Sequence, residues 1–93
     1  MMMKQFKESL ASVVLTSKWV MTRESPIVRI SHHEDGIWEF FGKENITEEE
    51  VIVVSLKQII DVDPTVLEVA DMPMAFNAFR QSVDTSWKVV SKN

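Results

Sequence analysis

Apolar residues in this chain fall in short runs, not in long periodic stretches, and the runs predict strands more often than helices. Ala11 to Thr16 carries Val13, Val14 and Leu15, a compact run of the length of a buried strand. Pro26 to Phe41 reads as the central hairpin, because two β-type runs flank a polar turn ending in Asp35-Gly36. Strand alternation puts Ile27, Arg29 and Ser31 on one face and Val28, Ile30 and His32 on the other, and it separates Trp38 and Phe40 from Ile37, Glu39 and Phe41. The inward set is then Val28, Ile30, Trp38 and Phe40. The second face also carries aromatic bulk, so it is expected to be covered only in part.

Further along, Thr47-Glu48-Glu49-Glu50 fits a capping box for a single helical turn, and Val51 to Val54 reads as the best buried strand of the chain. Ser55 can cap a short helix over Leu56 to Ile60, whose Leu56, Ile59 and Ile60 recur at helical spacing. Asp63 before Pro64 starts another helix, running to Ala70 and stopped by Met72-Pro73. Met74 to Phe79 and Ser86 to Val90, around a turn at Gln81 to Thr85, form a C-terminal hairpin. Ser17 to Ser25 is read as a connection with room for a short edge strand, since Ser25-Pro26 forces extended geometry. Residues 1–10 form a lead-in, with Met3, Phe6 and Leu10 near helical spacing, that is either frayed or docked. These elements predict one small α+β domain over residues 11–93, with a mostly antiparallel sheet of about five strands and two short helices between Ser55 and Ala70.

Composition narrows the class of partner. The 93 residues hold 45 % apolar and 26 % charged side chains, which suits one globular core. The net charge of -4 opposes unspecific attraction to phosphate backbones and anionic lipid, so neither nucleic acid nor membrane is an expected partner. There is no cysteine, hence no disulfide, thiolate metal site or Cys nucleophile. With no continuous apolar leader at the N-terminus, the expected compartment is the cytoplasm.

Candidate chemistry is sparse. His32 and His33 are adjacent, and adjacent strand residues point to opposite faces, so they do not share a metal ion unless the turn begins at His33. Glu48, Glu49 and Glu50 fan out around a helical turn by about 100° each and serve as a cap and solvated face rather than a calcium cluster. Asp61, Asp63 and Asp71 contain no convincing acid-base pair, because Asp63 is already used as a cap. Arg80 closes the apolar segment Ala75-Phe76-Asn77-Ala78-Phe79, where pairing with a carboxylate or stacking on Trp38, Trp87 or Phe76 is favoured over ligand recognition. Two glycines cannot build a phosphate cradle, and no nucleophile elbow, dinucleotide fingerprint or zinc-protease helix is present. Neither a catalytic residue nor a cofactor is therefore expected.

Several landmarks do fall in a familiar order: Ser17-Lys18 after an apolar strand, Ser31-His32, Asp35-Gly36 and Trp38-Glu39-Phe40 in the hairpin, and Val54-Ser55-Leu56. Ile60-Asp61-Val62-Asp63-Pro64, Ala70-Asp71-Met72-Pro73, Ala78, Arg80 and Trp87 follow. From about Ser12 to Val90 the chain resembles a family of small bacterial domains of unknown function grouped with immunity proteins of polymorphic toxin systems. The family's Ala-Glu-Arg triplet stands here as Ala78-Phe79-Arg80, without the acidic residue. The resemblance implies an α+β domain that neutralises a toxin by binding it. The expectation is thus a non-enzymatic protein-binding module, with contacts at Glu34, Asp35, Glu48, Glu49, Arg80 and Trp87 and at any tryptophan left exposed. A homodimeric scaffold is the alternative, and a small-ligand or metal-binding domain using His32, His33 and Arg80 ranks below it.

Overall fold

In the computed structural model, which describes residues 4–92, six strands make one sheet. They are β1 (Val13–Ser17), β2 (Arg29–His32), β3 (Trp38–Phe41), β4 (Val51–Ser55), β5 (Phe76–Phe79) and β6 (Lys88–Ser91). Across the sheet the order is β4-β1-β3-β2-β5-β6. Only β1 and β3 run parallel, and the other neighbours are antiparallel. The fold is the expected α+β class, with one strand more and with one interior parallel pair, β1 with β3.

The central hairpin forms as its turn residues dictate. His33 donates to the Ile37 carbonyl and Gly36 to that of His33, each at 2.9 Å, enclosing Glu34, Asp35 and Gly36. Gly36 has φ 91°, a conformation a side chain resists, and Asp35 Oδ1 accepts the Ile37 N–H at 3.0 Å. His32 then faces Trp38, Ile30 faces Phe40, and β5 pairs on the other side through Ala78 opposite Ile30.

One face of the sheet is packed. Val14, Ile30, Trp38, Phe40 and Ala78 meet Val20, Leu56, Ile59, Val66, Val69 and Met72 from the helical segments. Ile27 and Val28 are both buried, although alternation had set Ile27 outward; it precedes β2, so strand geometry does not govern it. The lead-in is docked here, with Phe6 edge-on to Trp38 at 4.9 Å, while Met3 lies outside the described residues.

Two expectations need correction. Ser17 to Ser25 holds no edge strand: Lys18–Met21 is a helical turn, α1, whose Val20 N–H is capped by Ser17 Oγ at 3.3 Å and whose Val20 side chain is buried. The Ser17 hydroxyl was the signal, and it was read as part of a loop. β4 is not the most buried strand either. It forms an edge of the sheet, and Val53 is 61 % exposed there. Its β-branched run satisfies strand propensity without needing two neighbours.

The remaining helices follow their caps. Ser55 and Gln58 form a capping box that starts α2 (Leu56–Val62), two residues longer than its apolar spacing suggested. Asp63 Oδ1 accepts the Thr65 N–H at 2.9 Å and, with Pro64, opens a 3-10 helix over Pro64–Val69.

Gly42, which follows β3, is closely packed: a Cβ there would collide with Ser25 Oγ and the Glu44 carboxylate. Gly42→Ala is therefore expected to cost about 1 to 3 kcal/mol by overpacking, read as a lower urea midpoint with an unchanged slope.

Candidate functional site

The two histidines separate as strand geometry requires. His32 turns inward and stacks on Trp38 with ring centroids 3.8 Å apart, and its Nδ1 lies 2.8 Å from the Met72 carbonyl. Glu8 Oε2 accepts the Trp38 indole N–H at 3.1 Å and stands 3.8 Å from His32 Nε2, which pins the lead-in over this pair. His33 turns outward, where Lys92 Nζ lies 2.8 Å from its Nδ1 and Glu39 Oε1 lies 2.9 Å from its Nε2. An ammonium can only donate, so Nδ1 is the bare nitrogen and Nε2 carries the hydrogen, in a close but poorly aligned approach to Glu39. No single metal ion can reach both rings. Among the described residues, no three His, Asp or Glu side chains gather as a metal site would require.

The outward face is where the sheet lacks a packed layer. On the β4 and β1 half it is aliphatic: Leu15 pairs with Val53, and Val13 and Val53 are each 61 % exposed. On the β3, β2 and β5 half it turns polar. The register places Glu39, Ser31 and Asn77 side by side across three strands, with Phe41, Arg29 and Phe79 as the next row. The segment after β3 folds back over that second row, because Arg29 Nε donates to the Gly42 carbonyl at 2.9 Å and Nη2 to that of Glu44 at 3.0 Å. Between the strands and Asn45-Ile46 lies a cleft of about 300 Å³. Asn77 is among its lining residues, and the Asn77 amide oxygen is closed off from water and without a hydrogen-bond partner.

Ser31, His33 and Glu39 share this face, and they are the residue types of a nucleophilic triad. Their geometry does not make one. Both ring nitrogens of His33 are engaged, by Lys92 and Glu39, so neither is left to take a proton from the Ser31 hydroxyl. Sequence reading singled out none of Glu39, Ser31 and Asn77. The signal was there in the polar residues Arg29, Ser31 and His33, which occupy alternate positions and so share a face of the central hairpin.

The six contact residues expected from sequence are not brought together. Glu34 and Asp35 are exposed at the tip of the β2 and β3 hairpin. Glu48 and Glu49 are exposed on a 3-10 turn (Glu48–Glu50) leading into β4, at the opposite end of the sheet, since Val51 pairs with Ser17 at the far end of β1. Arg80 offers a partner no guanidinium. Its Nη2 meets Asp63 Oδ2 at 2.6 Å, Nη1 donates to Thr65 Oγ1 at 2.8 Å, and Nε donates to the Ile27 carbonyl at 2.9 Å. The plane rests over Trp87 at 4.0 Å, and the Trp87 indole donates to the Thr65 carbonyl at 3.3 Å. Trp38 is buried and Trp19 and Trp87 are half-buried, so the exposed aromatic is Phe79, not a tryptophan.

The acidic turn is a cap, as its spacing implied. Thr47 N–H donates to Glu50 Oε1 at 3.0 Å, and that bond is the main reason the Glu50 carboxyl is held below the usual 4.5. The Thr47 hydroxyl, Trp19 and Lys18 add to the effect, and desolvation opposes it.

No family model, curated protein or solved structure matches the chain. Among the described residues, no helix is long and apolar enough to cross a membrane.

Two measurements check these assignments. Arg80→Ala leaves the largely enclosed Asp63 without its cation and should cost about 3 kcal/mol in chemical denaturation. A group whose pKa is depressed by folding contributes stability above its unfolded value and loses it as pH falls through the folded one. Glu50 should accordingly titrate below 4.5 in an NMR pH series, and Glu50→Gln should flatten the stability change just below pH 4.5.

Proposed function

We propose that this chain is a non-enzymatic protein-binding module that docks a basic partner on the uncovered face of its sheet. The partner class that the immunity-protein resemblance suggests is a toxin, neutralised by direct binding. One observation carries the reading: Val13, Val53 and Phe79 stand exposed on a face that no helix covers. Exposed large apolar side chains on an uncovered sheet face are a common mark of a protein-binding surface.

Charge supports the choice of partner. Glu34 and Asp35 lie at one end of the strands and Glu48 and Glu49 at the other, so a protein lying along the face meets acid at both ends. The net charge of -4 would steer a basic protein toward it.

Self-association is the second reading, and the β4 edge favours it. Leu56 N–H bonds to the Ser12 carbonyl, which fixes the phase of the β1 and β4 ladder and turns the Val53 N–H and C=O groups outward. Val51 N–H is taken by the Glu48 carbonyl and Ser55 N–H by Gln58 Oε1, so Val53 is where a second copy would pair.

Charged substitutions distinguish the two. Tagged wild type expressed with the neighbouring gene's product should retain that partner and relieve its toxicity, whereas the Val13→Glu, Val53→Glu double variant should lose both at unchanged melting temperature. A concentration-independent monomer in sedimentation removes the dimer reading. Retention of the partner by the double variant overturns the proposed surface, and a protein that neither binds nor rescues overturns the module itself.

A further inference from the structure

We infer that the cleft beside Asn45 and Ile46 is a receptor for one cationic side chain, a lysine or arginine of the bound protein. This deepens the proposed function and rests on it. The floor is the row Glu39, Ser31 and Asn77, set side chain beside side chain by the pairing of Ser31 with both of its neighbours. Within that row the Glu39 carboxylate is the one charged group, and Ser31 and Asn77 can each both donate and accept. The Asn77 amide oxygen is buried without a partner, and the Ser31 hydroxyl has none among the described residues. Glu39 spends one oxygen on His33 and keeps the other. A buried acceptor left unpaired is costly, and an ammonium or guanidinium brings several N–H groups and no acceptor.

The cation already present does not fill this need. Arg29 stands two residues before Ser31 on β2 and directs Nε and Nη2 to the Gly42 and Glu44 carbonyls. Those bonds commit the guanidinium to the segment after β3, and among the described residues it makes no ion pair with Glu39. The apolar walls are Phe79, Phe41 and Ile46, which suit the methylene stem of a long side chain and, through the rings, its charged tip. A cleft of about 300 Å³ lies at the lower limit of small-ligand sites, the size for one side chain and not for a cofactor. Entry displaces the Asn45-Ile46 lip, whose Asn45 is exposed.

The test is a titration of the 15N-labelled full chain with N-acetyl-lysine methylamide and N-acetyl-arginine methylamide. The norleucine and glutamate counterparts serve as controls. The cationic probes should give saturable shifts confined to residues 29–31, 39–41, 45–46 and 77–79, with affinity in the millimolar range expected of a single contact. Glu39→Gln should weaken them at least tenfold, and Asn77→Leu, which leaves the Glu39 and His33 contact in place, should also weaken them. Melting curves establish that both variants are folded. The inference is overturned by equal shifts with norleucine or glutamate, by shifts spread over Glu34, Asp35, Glu48 and Glu49, or by undiminished binding in both variants. If the probes fail while the co-expressed partner is still captured through Val13 and Val53, the cleft assignment falls and the module stands.

Discussion

A single guanidinium joins the two parts of this fold that chain connectivity leaves apart. Arg80 leaves the end of β5, yet its three contacts go to Ile27, two residues before β2, and to Asp63 and Thr65 at the start of the 3-10 helix. Asp63 serves that helix with one carboxylate oxygen and Arg80 with the other, so the cap and the ion pair are one device. Burying such a pair is not favourable in itself, and it holds only because the remaining N–H groups of the guanidinium find Ile27, Thr65 and the Trp87 face. The consequence is geometric. The helical layer is fixed on one face of the sheet, and the other face is left to solvent.

That asymmetry determines what the surface can do. Adjacent residues serve opposite faces: His32, at the end of β2, locks the lead-in over Trp38, while His33 one position later joins Glu39 and Lys92 outside. The outer face thus inherits aliphatic residues from β1 and β4 and polar ones from β3, β2 and β5. A partner would find a flat apolar area beside a small polar cleft, an arrangement in which the first supplies area and the second supplies selectivity.

Much of this was legible in the chain itself, where local rules decide. The capping boxes at Thr47 and Ser55, the Asp63-Pro64 start, the Asp35-Gly36 turn and the split between His32 and His33 each depend on residues within a few positions of one another. What could not be read is what depends on strand order. The run Val51 to Val54 has the same propensity at an edge as at a centre, and only the pairing partner of β1 decides which it occupies. The row Glu39, Ser31 and Asn77 combines residues up to 46 positions apart, from Ser31 to Asn77, and no spacing in the sequence announces it. Arg80 was correctly suspected of pairing, but its partner Asp63 had been fully explained as a cap.

The parallel pairing of β1 with β3 bears on how the molecule assembles. The β2 and β3 hairpin and the β5 and β6 hairpin close over short loops, whereas β4 touches the sheet only through β1. β1 in turn meets its parallel neighbour 24 residues away, Leu15 beside Glu39, a contact that no tight turn can deliver. β4 therefore has its place in the sheet only while β1 is docked on β3, so the aliphatic half of the outer face hangs on that one parallel contact, whereas the polar cleft, built on β3, β2 and β5, does not.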